Sequence, residues 1–224
     1  MNMHSLKSAL AIGSWLCLAA CLPAADGPTR FDPLPGSKVR IEGTSSIHDW
    51  QVEGKLIGGC LETGPGFPIE PGQAVQPGKI EAKVDAFIPV RSLKSVEKDG
   101  RPYSDSMDDI MYDKLLQPAN PRILYHLTVL VLKEAPKGPA DPYLCDATGQ
   151  LVVAGLTNMI QMPVSVTPLG DKKLKIAGQT AVKMTDFGIK PPAPAIALGL
   201  IRTGDDVKLI FEWEVGQKPV AGGK

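Results

Sequence analysis

From residue 38 to residue 215 the chain mostly alternates apolar with polar side chains. A half-buried β-strand produces this pattern, because successive side chains point to opposite faces of a sheet. "KVRIEG" sets Val39 and Ile41 against charged neighbours, and "IHDWQVEGKLIGG" offers Ile47, Trp50 or Val52, and Leu56 to an inner face. "KIEAKVDAFIPV" gives the clearest alternation, with Ile80, Ala82, Val84, Ala86 and Ile88 in phase. "RILYHLTVLVLKE" predicts a long strand with Ile123, Tyr125, Leu127, Val129 and Val131 on one face, while Leu124, Leu130 and Leu132 keep the other from being fully polar. "YLCDATGQLVVAG", "MIQMPVSVTPL", "KKLKIAGQTAVKMTDFG" and "DDVKLIFEWEV" extend the series. About eight strands joined by short polar connections, without strand–helix alternation, predict an all-β antiparallel sandwich or closed barrel.

Three stretches break the period. In residues 104–117, "SDSMDDIMYDKLLQ", the residues Met107, Ile110, Met111 and Leu115 fall at helical spacing. Ser104 or Ser106 supplies an N-cap, Asp108 and Asp109 favour the first turn, and "PANP" stops the helix. One short amphipathic helix is expected there, with its Met-rich stripe packed on the sheet as core. Residues 61–78 form a Pro/Gly-rich loop, and "PPAPAIALG" is a second proline-rich excursion. The polar, glycine-rich tail 217–224 has the composition of a disordered segment.

The N-terminus has a different character. "MNMHSLKS", with Lys7 as its basic residue, precedes the apolar run "ALAIGSWLCLAA". These are the n- and h-regions of an export signal over residues 1–20. The run ends in "LAAC", which resembles a lipobox and would make Cys21 the lipidated first residue of a mature protein. Cleavage by ordinary signal peptidase within "LPAAD" is the alternative, and the sequence leaves both open. Export to a periplasm follows either way, and acylation of Cys21 would add an outer-membrane anchor. Residues 21–36 read as a linker and 37–216 as the folded domain.

Composition narrows the partners. Removing residues 1–20 takes away one of 24 basic residues and none of 24 acidic ones, so the chain stays within about one charge of neutral. It carries no basic run of the kind that binds nucleic acid. Cys60 and Cys145 form no C-x-x-C and have no neighbouring histidine, which argues against zinc or redox chemistry. In an oxidising compartment they are disulfide candidates, closing a loop worth up to ~4–5 kcal/mol, with two independently buried thiols as the alternative.

Chemistry could start at the adjacent His48, Asp49 and Trp50. Neighbours on a strand face opposite ways, so His48 and Asp49 make a poor dyad. No nucleophile elbow accompanies them, and Ser45 and Ser46 are neighbours in sequence without a catalytic geometry. The triplet reads instead as a strand end, with His48 or Asp49 bonding loop backbone and Trp50 plugging one end of the fold. His126 reads as a satisfied interior or interface residue, and Asp186, Thr157 and Asn158 as turn formers. No metal site, phosphate loop or dinucleotide fingerprint is present, so no cofactor is expected.

Several stretches together resemble the YceI-like family of exported bacterial proteins, in its branch with a Ser-x-His-Asp-Trp stretch. They are "KVRIEGTSSIHDWQVEGKLIGG", "SMDDIMYDKLLQPANPRILYHL", "GQLVVAGLTNMIQMPVSV" and "VKMTDFGIKPP", covering roughly 37–216. The resemblance implies a lipocalin-like antiparallel barrel holding a long apolar molecule such as a polyisoprenoid, and binding rather than catalysis. Two departures bear on the ligand: the lengthened loop at 61–78, and a helix lacking the Arg and His pattern of better-known members.

On that architecture the expected lumen wall is Ile123, Tyr125, Leu127 and Val129, then Leu151 and Val153, then Ile160, Met162 and Val164. Leu209, Phe211 and Trp213 complete it, with Trp50 at one end. A slender apolar ligand in such a lumen gains about 0.8 kcal/mol per buried CH₂ before ordering costs. Two rivals remain: a structural or stress-related barrel with a filled lumen, and a hydrolase using His48.

Overall fold

The computed structural model describes residues 27–193 and 201–217. The export segment 1–20, Cys21 and residues 218–224 of the expected tail lie outside the described residues, as do residues 194–200 of the proline-rich excursion.

Twelve strand segments, in chain order, build the fold. They are β1 (Thr29–Pro33), β2 (Lys38–Ser45), β3 (Trp50–Gly54), β4 (Gly58–Thr63), β5 (Gly78–Ile80), β6 (Ala82–Pro89) and β7 (Lys94–Val96). After helix α1 (Asp105–Lys114) come β8 (Arg122–Glu134), β9 (Tyr143–Val153), β10 (Leu156–Gly170), β11 (Lys173–Lys183) and β12 (Thr203–Gln217). Every pairing between them is antiparallel.

The wall nevertheless has eight strands, because three of them are kinked and count as more than one segment. β1 and β2 both run along the same edge of β12, and β3 and β4 along the β2 and β1 edges; β5, β6 and β7 make up the third, with β5 and β6 along β8 and β7 along β3. β1 pairs with β12 through Phe31 and Gln217, which closes the sheet into a barrel and leaves no open edge in the ring. Residues 29–33, expected as linker, are therefore part of the wall. Phe31 is fully buried, and its pairing supplies the closure.

One end of the barrel is solid. Phe31, Leu132, Tyr143, Leu174 and Val215 converge there, all at or near zero exposure. The Pro/Gly-rich connection, residues 64–77, folds over this end and inserts Phe67 into it. Gln73 organises the connection: its Oε1 accepts the N–H groups of Ile69 and Glu70, and its Nε2 donates to the Phe67 carbonyl. Tyr143 Oη donates to the Gln73 carbonyl at 2.6 Å, tying the connection to the wall.

Helix α1 lies at the other end. Ser104 caps it, accepting the Met107 N–H, as the sequence predicts. Asp108 stands in the first turn, as expected, and has a second role there. Its buried carboxylate accepts the Ser95 N–H of β7 at 2.6 Å and pairs with Lys94 at 3.0 Å. Tyr112 adds a second tether by donating to the Leu93 carbonyl.

A two-chambered lumen and its rim

Alternation along each strand sends one set of apolar side chains inward, and the inward set does not fill the barrel. An outer chamber of about 560 Å³ opens at the helix end, within the usual size range of ligand pockets. A deeper chamber of about 100 Å³ lies toward the closed end. Ile123, Leu151 and Leu209 belong to the walls of both and form the waist between them.

Of the expected lumen residues, Tyr125, Leu127, Ile160, Met162, Val164, Phe211 and Trp213 line the deep chamber, and Trp50 and Val153 the outer one. Val129 is a correction, because it lines neither. Leu127 pairs with Gly149 but Val129 with Thr148, so Thr128 is an extra residue, a β-bulge that reverses the facing of the residues from Val129 to Leu132. Leu130 and Leu132 then point inward, and Leu130 enters the wall of the deep chamber in the place expected for Val129. Two apolar faces in one strand were the available sign of such a switch.

Helix α1 contributes Met107, Ile110 and Met111 to the outer chamber, and its C-cap Leu115 joins them. The stripe expected as plain core therefore borders open space. A thioether chain adapts readily to such a boundary. Phe187 and Ile189, after β11, add further apolar wall that the turn-like sequence "MTDFG" concealed.

His48 sits at the rim, exposed. Its Nδ1 lies 2.8 Å from the Asp49 carbonyl oxygen, a bond in which the ring nitrogen donates, and its Nε2 lies 3.4 Å from Tyr103 Oη. Ser45 is engaged elsewhere: its hydroxyl donates to the His48 carbonyl and accepts the N–H groups of Ile47 and His48. That arrangement is a turn held by a serine side chain. Trp50 lies flat over Gly43, where an added Cβ would sit 2.2 Å from the ring, and its indole N–H donates to the Thr44 carbonyl at 3.1 Å. The ring thus forms part of the chamber wall at the mouth.

Lys114, Lys183, Ser104, Ser106 and Thr203 complete the polar border, and none of the described residues lining the outer chamber is acidic. No group of His, Cys, Asp and Glu among the described residues is arranged to hold a metal.

The remaining candidates fall outside the lumen. His126 faces outward on β8 and bonds Asp85 at 2.7 Å. Hydrogen bonding from His126 holds the Asp85 carboxyl below its ordinary range, with Lys83 reinforcing it and partial burial opposing. Asn158 donates to the Asp186 carbonyl, consistent with turn-forming roles.

The disulfide expectation is corrected. Cys60 and Cys145 are free thiols. Cys60 is on β4 and Cys145 on β9, with β6 and β8 between them in the wall. Strand spacing of ~4.8 Å over three steps puts them beyond bridging range. Cys145 is also buried among inward residues, whereas Cys60, next to inward Leu61, faces out.

The YceI-like domain family matches residues 69–215. Among solved structures, Burkholderia cenocepacia BcnA is 18% identical with a TM-score of 0.54, over 80% of this chain and 95% of its own. A polyisoprenoid binding domain from Saccharophagus degradans, implicated in plant cell wall breakdown, is 11% identical with a TM-score of 0.61. That match covers 86% of this chain and 100% of the neighbour. At these identities the likeness is one of fold. No curated protein matches the chain.

Proposed function

The chain belongs to the YceI-like family, and from that premise we propose that it binds a long apolar molecule, of isoprenoid or acyl type, in the barrel lumen. The open outer chamber of about 560 Å³ carries this reading. A barrel serving only as a structural body gains nothing from such a void, because its lining forfeits packing contacts. A slender chain of about ten methylenes would contribute ~8 kcal/mol gross before ordering costs, enough for useful affinity. The polyisoprenoid binding named for the Saccharophagus degradans domain supports the same ligand class.

Binding rather than catalysis fits the rim. Ser45 spends its hydroxyl on the His48 backbone, so the imaginable Ser–His pair has no free nucleophile. Export is part of the proposal: the leader-like residues 1–20 and the lipobox-like "LAAC" would place the barrel in a periplasm, anchored through Cys21 if it is acylated. An apolar chain needs shielding in that aqueous space. Mass spectrometry of an organic extract of the purified protein tests the reading. A chain-like lipid at stoichiometric yield is expected. An empty extract, together with failure of the protein to take up added isoprenoid or acyl chains, would sink it.

A further inference from the structure

Two hydrogen-bond donors in the wall of the deep chamber have no partner. Tyr125 Oη and Trp213 Nε1 are both buried and both unbonded. Trp213 is 3% exposed, and the other side chains lining the same chamber, including Leu61, Val84, Leu127, Leu130 and Phe211, are apolar. Buried Tyr and Trp normally find a partner for the polar tip, and a pair left unpaired in one small chamber calls for a reason. Gly149 sharpens the point. An added Cβ there would sit 2.7 Å from Tyr125 Oη, so the glycine leaves the space that the phenol occupies. Phenylalanine at 125 would pack the same wall without an orphaned hydroxyl.

We propose that Tyr125 and Trp213 form a polar subsite for a neutral oxygen acceptor, a carbonyl or ether group, carried on the inner end of the apolar ligand. This rests on the carrier reading above and adds the ligand's chemistry and orientation to it. The donors are neutral: burial pushes the Tyr125 phenol up to about 12, so it keeps its proton at ordinary pH. A phosphate or carboxylate would enter without a countercharge among the residues lining the deep chamber, at a prohibitive desolvation cost. Water fits poorly, since the apolar side chains offer its own hydrogens no acceptor. Size adds a further limit. A cavity of 150 Å³ holds benzene, so a chamber of about 100 Å³ suits a few heavy atoms at a chain end. The ligand enters oxygen first, and its chain fills the outer chamber.

The test compares two probes of equal length, 2-nonadecanone and n-nonadecane, in competition with a neutral fluorescent dye bound in the lumen. Wild-type protein should prefer the ketone by about tenfold, the equivalent of one net hydrogen bond. Tyr125→Phe and Trp213→Phe should each reduce that preference, read as the ratio of ketone to alkane affinity within the same variant. Tyr125→Phe should also raise the melting temperature of the empty protein, a result that controls for misfolding. Equal binding of both probes to wild-type protein, or a preference that survives both substitutions, would overturn the subsite and leave the carrier reading intact. Binding of neither probe would overturn both.

Discussion

Asp108 Oδ1 accepts the backbone N–H of Ser95 at 2.6 Å, and this buried bond joins the helix at the mouth to the strand beside it. Burial pushes the Asp108 carboxyl up, but the Ser95 N–H and the Lys94 ammonium outweigh it and hold the group below its ordinary value. Asp108 thus fixes the position of the Met107–Leu115 wall of the outer chamber.

Asp108→Ala should leave the Ser95 N–H buried without a partner and cost ~1–3 kcal/mol. Hydrogen exchange should rise in α1 before it rises in the barrel strands. The pH dependence has a definite sign. A carboxyl depressed in the folded state stabilises fully above its unfolded value of ~3.9, and that contribution fades as pH falls through the folded value. Melts between pH 6 and pH 3 should therefore show wild-type protein converging on the Asp108→Ala variant at the acid end. A constant gap would contradict the assignment.

Three tryptophan substitutions separate the faces of the wall. Val153→Trp should block uptake of an apolar dye at little cost in stability, since the outer chamber has room for the ring. Leu127→Trp, in the smaller chamber, should cost ~1–3 kcal/mol through overpacking. Val129→Trp should leave uptake unchanged, because the bulge at Thr128 turns position 129 outward. Loss of uptake in the Val129 variant would contradict the register.

Thiol labelling distinguishes the two described cysteines. Burial, with the Asp146 charge adding to it, pushes the Cys145 thiol up to about 12, so it stays protonated and unreactive. Maleimide at pH 8 should modify Cys60 in the native protein and reach Cys145 only after unfolding. Peptide mapping without reductant should recover the two cysteine peptides unlinked. A linked peptide would restore the disulfide.

Phe67 tests the connection that closes the barrel. Phe67→Ala should cost ~3–5 kcal/mol in urea unfolding, the usual price of truncating a buried aromatic side chain. An effect within ~0.5 kcal/mol, typical of a surface loop, would show that residues 64–77 do not seal the lumen.

Fold class, the helix with its Ser104 cap and most of the lumen wall were readable from the chain, for a local reason. The period of alternation fixes which face a side chain takes as long as the strand is regular, so Tyr125, Met162 and Phe211 could be placed inward from spacing alone. Where pairing inserts a residue the inference fails: two apolar faces in "RILYHLTVLVLKE" signal a switch, but the partner on β9 sets the register and so places the bulge at Thr128. The same limit hid the role of Thr29–Pro33, whose closure of the ring depends on residues some 180 positions away in β12. It also hid the separation of Cys60 from Cys145, since strand order is a property of the whole barrel. Sequence determined that an apolar inner surface would exist. Only the tertiary structure decided that this surface is left partly unfilled, because cavity volume depends on how facing walls meet across the barrel and no single strand encodes that distance.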